Sequence, residues 1–130
     1  MFPVGRGPLF VAFLYSTEKP VEFISMNQNR DFQRAYSRGK SFVGPALVTY
    51  VLKNRKSALR VGITTSKKTG NAVHRNRSRR VIREAFRTLP GEIRPGFDLV
   101  FVARAKTPAM KSTDLSRVME RQLKSAGVLK

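Results

Sequence analysis

Hydrophobic positions first recur with a helical period between Asn29 and Arg38. The apolar residues of this segment are spaced i, i+3 and i+4 on one helix face, which comprises Phe32, Ala35 and Tyr36. Asn29 is placed to cap the first turn, and Gly39 follows the last turn, where a left-handed residue commonly ends a helix. The spacing therefore predicts a first helix, and on spacing alone its aromatic side chains are core contacts.

A second helical pattern runs from about residue 113 to residue 126. Its apolar stripe consists of Leu115, Val118, Met119, Gln122 and Ala126. Ser112 or Thr113 can cap the start of this segment, and Gly127 is placed to end it. The pattern predicts a C-terminal helix that rests one face on the core.

Strand patterns lie between the two predicted helices. Residues 47–52 and 59–65 are rich in β-branched and apolar residues and flank a polar turn, so we expect them to form an antiparallel hairpin. A short apolar stretch at 41–43 precedes them. Pro45 lacks the donor that a β-ladder needs, so we expect it to break the pairing between this stretch and the strand that follows.

The segment Phe97–Ala103 has a different pattern. From Leu99 onward both of its alternating sets of residues are largely apolar, which is typical of a strand that is covered on both faces. It is predicted to be a central strand of the sheet.

The first 20 residues differ in composition from the rest. Residues 1–8 contain two prolines and two glycines, and the apolar run at 9–15 is far shorter than the roughly 20 residues that a membrane span requires. A small-x-small cleavage site does not follow this run, so we do not expect secretion. We predict that residues 1–20 form a poorly ordered extension and that residues 21–130 form a single domain.

Charge changes the functional picture. The chain has 130 residues, of which 41% are hydrophobic, and its 26 Lys and Arg against 8 Asp and Glu give a net charge of +18. Such a surface repels itself, and a polyanion relieves the repulsion by releasing condensed counterions. Nucleic acid is therefore the favoured partner, because a membrane partner usually needs an additional lipid or amphipathic anchor. Cysteine is absent, which suits a reducing cytoplasm and leaves no disulfide or thiolate nucleophile.

The cations are most concentrated in residues 67–87, which hold eight Lys or Arg and one acid, Glu84. A helix from residue 72 to residue 89 is predicted here, about 27 Å long and closed by Pro90 and Gly91. Its apolar stripe is Ile82, Ala85, Phe86 and Leu89, extended back through Ser78 to His74. Its cationic ridge is Arg75, Arg79, Arg83 and Arg87. A solvated face usually mixes signs, so this helix indicates nucleic-acid binding.

The start of this basic helix offers further polar groups. Gly70 and Asn71 permit a tight turn, where free backbone N–H groups and the side chains of Lys67 and Lys68 can hold a phosphate. Asn76 can offer its amide to a base edge, a 2′-hydroxyl or a hydrated metal ion, or it can cap the turn beneath it.

A catalytic constellation is not evident in the sequence. The eight acids form no close pair, and His74 is the one histidine. Because His74 falls on the extended apolar stripe, we expect a packed, hydrogen-bonded, neutral histidine rather than a general base. We therefore predict no catalytic residue.

Residues 67–80 carry the order KKTGNAVHRNRSRR, which closely resembles the basic signature of the bacterial ribonuclease P protein family. Residues 31–41 resemble the first helix of that family, 59–63 the strand before the basic segment, and 98–104 the strand after it. The resemblance covers residues 24–126. The N-terminal extension is not part of the family pattern, and His74 occupies a position that the signature leaves variable.

The resemblance implies an α+β domain of order αβββαβα with a mixed four-stranded sheet, in which the basic helix makes a left-handed crossover against the usual rule. It also implies a cytoplasmic accessory protein that binds ribonuclease P RNA and precursor tRNA, with no membrane or small-molecule partner. The holoenzyme removes the 5′ leader of precursor tRNA, and the hydrolysis is carried by Mg²⁺ held mainly in the RNA subunit. The oligomeric state is not implied.

The resemblance further implies two binding surfaces. The surface for the RNA subunit comprises Lys67, Lys68, Asn71, Arg75, Asn76, Arg77, Arg79, Arg80 and Arg83. The surface for the single-stranded leader is a cleft lined by Phe32, Tyr36, Phe42 and Tyr50, where bases would stack. For Phe32 and Tyr36 this changes the expectation from core contacts to partly exposed stacking platforms.

Charge and pattern alone leave three alternatives open. A structural ribosomal protein would share the basic composition, a protein nuclease would cleave without an RNA subunit, and a duplex-DNA binder would prefer DNA to structured RNA.

Overall fold

The computed structural model describes residues 11–15, 20–55 and 58–129 of the chain. The elements are β1 (Val11–Tyr15), β2 (Pro20–Ser25), α1 (Asn29–Arg38), β3 (Lys40–Val43), β4 (Leu47–Lys53), β5 (Arg60–Thr64), α2 (Ala72–Arg87), β6 (Phe97–Ala103) and α3 (Ser112–Ser125). Short 3₁₀ turns at Lys67–Thr69 and Thr107–Ala109 precede α2 and α3. From α1 onward the order is αβββαβα, which confirms the predicted α+β domain.

The sheet has six strands in the order β1-β2-β5-β6-β4-β3, rather than the four that were predicted. The four predicted strands are β3 to β6, and the N-terminal hairpin of β1 and β2 adds two more at the edge beside β5. β5 is parallel to β2 and to β6, and the remaining pairs are antiparallel, so the sheet is mixed. α2 joins the parallel neighbours β5 and β6 as expected, and the hand of this crossover stays a prediction.

The predicted hairpin between residues 47–52 and 59–65 is wrong, because β6 lies between β4 and β5. β4 instead forms its hairpin with β3, from Lys40 opposite Val51 to Val43 opposite Val48. The N–H of Gly44 donates to the carbonyl of Leu47 at 3.0 Å and closes the turn. Pro45 lies within this turn, where no ladder donor is needed. The prediction that it breaks the pairing between residues 41–43 and the next strand is therefore wrong.

The predicted N-terminal extension is only partly described. Residues 1–10 and 16–19 lie outside the described residues. Between them, Val11–Tyr15 pairs along its length with β2, from Val11 opposite Ile24 to Tyr15 opposite Pro20. The prediction of a poorly ordered extension did not include this strand.

The sheet is covered on both faces. α2 and α3 pack on one face over the main core, to which β6 contributes Leu99 and Phe101. α1 packs on the other face over a smaller cluster that includes Ala35 and Val100. Successive residues of β6 therefore enter different cores, which confirms that Phe97–Ala103 is a central strand.

Helix ends differ in detail from the predictions. The residue that precedes α1 is Gln28, which makes no side-chain cap, and Gly39 has an extended φ of −79° instead of a left-handed one. Glycine is needed there for another reason, because a Cβ would lie 2.5 Å from the carbonyl oxygen of Ala35. Gly127, by contrast, has the expected positive φ of 78° just after α3.

Candidate nucleic-acid interface

The basic helix begins at a capped glycine turn. Gly70 has a φ of 128°, a conformation that favours glycine, and the Oδ1 of Asn71 accepts the N–H of His74 at 3.0 Å. The guanidinium of Arg75 folds back and donates to the carbonyl of Gly70 at 3.3 Å. The turn is thus fixed by glycine geometry, a side-chain cap and one of the predicted RNA-binding arginines.

α2 is held on the sheet by its buried stripe. Ile82, Ala85 and Phe86 are buried as predicted, and the Phe86 ring lies 5.7 Å from that of Phe101 between ring centroids. Ser78 is also buried, and its hydroxyl is satisfied by the carbonyl of His74 at 2.8 Å. This anchoring fixes which face of α2 is turned outward.

The predicted RNA-subunit residues lie along the outward side of α2 and the turn before it. The exposed ones are Lys68, Asn71, Asn76, Arg77 and Arg80, and the half-buried ones are Arg75, Arg79 and Arg83. Lys67 lies in the 3₁₀ turn Lys67–Thr69. The fold therefore gathers the set on one helix and its entry.

Like charges crowd this helix. Partial burial, and then the positive charges of Arg79 and Arg80, lower the pKa of Arg83 from its ordinary value. The one acid of the helix, Glu84, pairs with Arg87 at 3.0 Å near the C-terminal end. The N-terminal three turns thus carry cations without a carboxylate of their own, and a phosphate would relieve their mutual repulsion.

His74 is exposed, so the prediction of a packed histidine is wrong. The extrapolated stripe fails because the buried face of α2 begins only at Ser78, one turn later. The expected hydrogen bond is present, since Nδ1 of His74 lies 2.9 Å from Oδ1 of Asn71.

Three of the four predicted leader-binding aromatic residues lie together between α1 and the sheet. The Phe32 ring sits directly on Gly62, where an added Cβ would be 2.6 Å from its Cε1 atom. Tyr36 and Tyr50 meet edge to face with centroids 4.9 Å apart. All three side chains are half-buried, and together they are called the aromatic platform below.

The hydroxyl of Tyr36 is tied to the sheet by a side-chain hydrogen bond with Thr64. Burial raises the pKa of Tyr36, the nearby Tyr50 raises it further, and the bond to Thr64 opposes them. The ring is thereby held in one orientation beside Tyr50.

Phe42 does not join this surface. It pairs across the ladder with Thr49, whereas Tyr50 pairs with Ser41, so Phe42 and Tyr50 point to opposite faces. Phe42 packs against the main core on the α3 side, where the Thr49 hydroxyl donates to Oε1 of Gln122 at 2.6 Å. The prediction of Phe42 in the cleft therefore does not fit the register of β3.

A buried ion cluster fixes α1 over the sheet. Arg60 on β5 pairs with Asp31 of α1 at 2.6 Å and lies 3.5 Å from Asp98 on β6. The amide of Asn54 donates to the other oxygen of Asp98 at 2.7 Å. Because Asp31 precedes Phe32 directly, this cluster sets the position of the aromatic platform.

Four residues in register extend the platform across the same face, and sequence reasoning did not assign them: Val43, Val48, Val102 and Thr64. Val43 is 69% exposed, and the other three are half-buried. Alternation along β4 could have placed Val48 beside Tyr50, but the cross-strand neighbours depend on a sheet order that pattern alone does not fix.

The described residues contain no group of three His, Asp or Glu side chains that is arranged to hold a metal ion. Within the same residues, no helix is both long enough and apolar enough to cross a membrane.

Comparison with known proteins identifies relatives over most of the chain. The family model described as ribonuclease P matches residues 22–127. The ribonuclease P protein component of Clostridioides difficile (strain 630) is 39% identical over 104 residues, which span 79% of this chain and 91% of that protein. The corresponding protein of Dehalococcoides mccartyi (strain CBDB1) is 36% identical over 104 residues, which span 80% of this chain and 85% of that protein.

Solved structures agree with these relatives. The ribonuclease P protein of Staphylococcus aureus, solved at 2.0 Å, superposes with a TM-score of 0.70 at 36% identity and covers 82% of this chain and 97% of its own. The ribonuclease P protein from Thermotoga maritima superposes with a TM-score of 0.60 at 28% identity, and the match covers 75% of this chain and 96% of that protein.

Proposed function

The chain belongs to the ribonuclease P protein family, and we propose that it binds the catalytic RNA subunit through α2 and the 5′ leader of precursor tRNA through the platform of Phe32, Tyr36 and Tyr50. Family membership makes it the accessory protein component of a ribonucleoprotein endoribonuclease that acts in tRNA processing. Precursor tRNA is made in the bacterial cytoplasm, which is the proposed place of action.

The observation that carries the proposal is that the outward face of α2 carries positive charges only. The proposed contact residues on this face and on the turn before it are Lys67, Lys68, Asn71, Arg75, Asn76, Arg77, Arg79, Arg80 and Arg83. The cations of α2 run from Arg75 to Arg87, about 18 Å along the helix, and match a run of phosphates better than they match a single small anion. Each exposed arginine can release counterions from the RNA, so binding to this face is strongly dependent on salt.

The aromatic platform suits a single strand. Half-buried rings stack on unpaired bases of any sequence, at about 1–3 kcal/mol per base, and leaders differ in sequence among tRNA genes. The platform and α2 lie on opposite faces of the sheet, so the chain can hold the RNA subunit on one side and the leader on the other.

The role proposed for the protein is binding and orientation. Mg²⁺, held mainly by the RNA subunit, supplies the hydrolytic chemistry, and no residue of this chain is assigned a catalytic role. Aligning the leader against a fixed RNA site lowers the entropic cost of reaching the reactive geometry.

Binding measurements test the proposal. The chain should bind ribonuclease P RNA more tightly than duplex DNA of equal length at matched salt, and the assembled complex should bind leader-bearing precursor more tightly than mature tRNA. Preference for duplex DNA would contradict the assignment of α2 to the RNA subunit. Equal affinity for precursor and mature tRNA would contradict the assignment of the aromatic platform to the leader.

A further inference from the structure

The single histidine of the chain stands at the start of the RNA-facing helix with its ring held in one orientation. Oδ1 of Asn71 accepts the backbone N–H of His74 at 3.0 Å and also lies 2.9 Å from Nδ1 of its ring. The ring covers Gly70 so closely that a Cβ there would be 2.9 Å from the His74 Cβ and 3.2 Å from Nδ1. The glycine and the cap residue together fix where the imidazole points.

These contacts also determine the tautomer. The backbone N–H of His74 is a donor, so the Asn71 atom that it meets must be the amide oxygen, which only accepts. Nδ1 faces the same oxygen and must therefore carry a proton. Nε2 is left as the outward nitrogen, and among the described residues it makes no hydrogen bond.

We propose that His74 is an additional contact to the RNA subunit, in which protonated Nε2 donates a hydrogen bond to a backbone phosphate. The inference rests on the proposed function of α2, to which it adds one contact residue and the protonation of that residue on binding. When the phosphate arrives, the imidazole takes up a proton from solvent at Nε2 and keeps the proton on Nδ1 that bonds Asn71. RNA binding at this site is then coupled to proton uptake.

The surroundings of His74 favour a phosphate as its partner. The charged groups nearest to it along α2 are Arg75 and Arg77, and Lys68 lies in the turn before the helix, so all of them attract phosphates. On the elements packed against α2, Arg60 and Asp98 are bound to each other on the opposite sheet face.

The charged groups of α3 and of the turn before it are the remaining neighbours to consider. Glu120 of α3 pairs with Lys124 at 2.9 Å. The cations there are Lys106, Lys111, Arg117 and Arg121. Asp114 is exposed and is the one acid of α3 without an ion pair in the described part of the chain, so it needs its own control.

Nitrogen NMR of the free, full-length protein tests the ring geometry. With ¹⁵N-labelled histidine there is a single side-chain signal set, and the neutral form should show a protonated Nδ1 and an unprotonated Nε2. Replacing the cap with Asn71→Asp keeps the acceptor and should keep this tautomer. A neutral form protonated at Nε2 would overturn the proposal.

The binding test compares affinity for ribonuclease P RNA at pH 6 and pH 8 at constant salt and Mg²⁺. A phosphate that binds the protonated ring more tightly than the neutral ring favours the charged form in the complex, so binding should be about six-fold stronger at pH 6 than at pH 8. His74→Gln removes the titrating group at an exposed site, so it should bind as the wild type does at pH 8 and lack most of the gain at pH 6.

Two control variants make the result specific. Gln33→His, added to His74→Gln, moves the histidine to an exposed position of α1 and should not restore the gain. Asp114→Asn should keep it, and loss of the gain in Asp114→Asn would assign the imidazole to that carboxylate and overturn the proposal. If the wild type binds the RNA but its affinity depends on pH no more than that of His74→Gln, only the inference about His74 is refuted. If the wild type fails to bind the RNA at any pH, the proposed function is refuted.

Discussion

Substituting Gly62 with alanine tests whether the Phe32 ring is positioned by the sheet. The new Cβ would lie 2.6 Å from Cε1 and 2.8 Å from Cζ of Phe32, so the ring must retreat by about 1 Å to reach an ordinary carbon contact. Overpacking of this kind costs about 1–3 kcal/mol, and the loss of glycine flexibility in the unfolded chain returns about 0.4–1 kcal/mol. The expected net loss of stability is about 1–2 kcal/mol.

The functional consequence follows from the place of Phe32 in the platform. One base stack is worth about 1–3 kcal/mol, and a ring that is displaced rather than removed should lose about half of that, which weakens binding of leader-bearing precursor by about 3- to 10-fold. Affinity for mature tRNA and for the RNA subunit should be unchanged, because α2 lies on the other face of the sheet. The assay is equilibrium binding of the reconstituted complex to precursor and to mature tRNA, with urea unfolding of the free protein alongside.

A matched glycine provides the control. Gly44→Ala also introduces a tight Cβ, 3.2 Å from the carbonyl oxygen of Leu47 and 3.3 Å from Nε2 of Gln122, but it does so on the α3 side. It should leave the preference for the leader unchanged, whatever its effect on stability in urea. An unchanged preference in Gly62→Ala, alongside a lost preference in Phe32→Ala, would refute the argument that Gly62 supports the ring.

Three further predictions concern the two surfaces and the cluster between them. Arg77→Ala, at an exposed position, should weaken binding to the RNA subunit and reduce the slope of log affinity against log salt by up to about one, and an unchanged slope would show that Arg77 meets no phosphate. Arg60→Met leaves the buried carboxylate of Asp31 uncompensated and should cost about 3–5 kcal/mol in urea unfolding, so a loss below about 1 kcal/mol would contradict the ion pair. Burial raises the pKa of Tyr36 in the fold, so the stability that this tyrosine contributes is complete below the unfolded pKa near 10 and is lost as the pH rises through the folded pKa. Tyr36→Phe should therefore flatten the fall in stability above pH 10, and an unaltered alkaline profile would count against the burial of the hydroxyl.

Local patterns predicted the elements well because periodicity reports burial within one segment. The spacing of Ile82, Ala85 and Phe86 gave the buried face of α2, and the continuous apolar run after Leu99 gave a central strand. The concentration of cations likewise predicted a basic helix, although three of the four arginines of the predicted ridge, Arg75, Arg79 and Arg83, are half-buried. These features depend on residues a few positions apart.

The pairing of strands that are distant in the sequence was harder to predict from local patterns. Whether β4 pairs with β5 or with β6 depends on how the whole sheet assembles, and the hydrophobic pattern of either strand is compatible with both. The same limit misplaced Phe42, because a one-residue change of register moves a side chain to the other face. His74 was misplaced by extending a stripe one turn beyond Ser78, where α2 leaves the core.

The most direct test of the account is the rate of 5′-leader removal from precursor tRNA at low Mg²⁺ by ribonuclease P RNA, with and without this chain. We predict that the chain raises the rate at which the RNA produces the mature 5′ end, and that no cleavage occurs when the RNA subunit is omitted. Cleavage by the chain alone, or no stimulation of the RNA at any protein concentration, would contradict it.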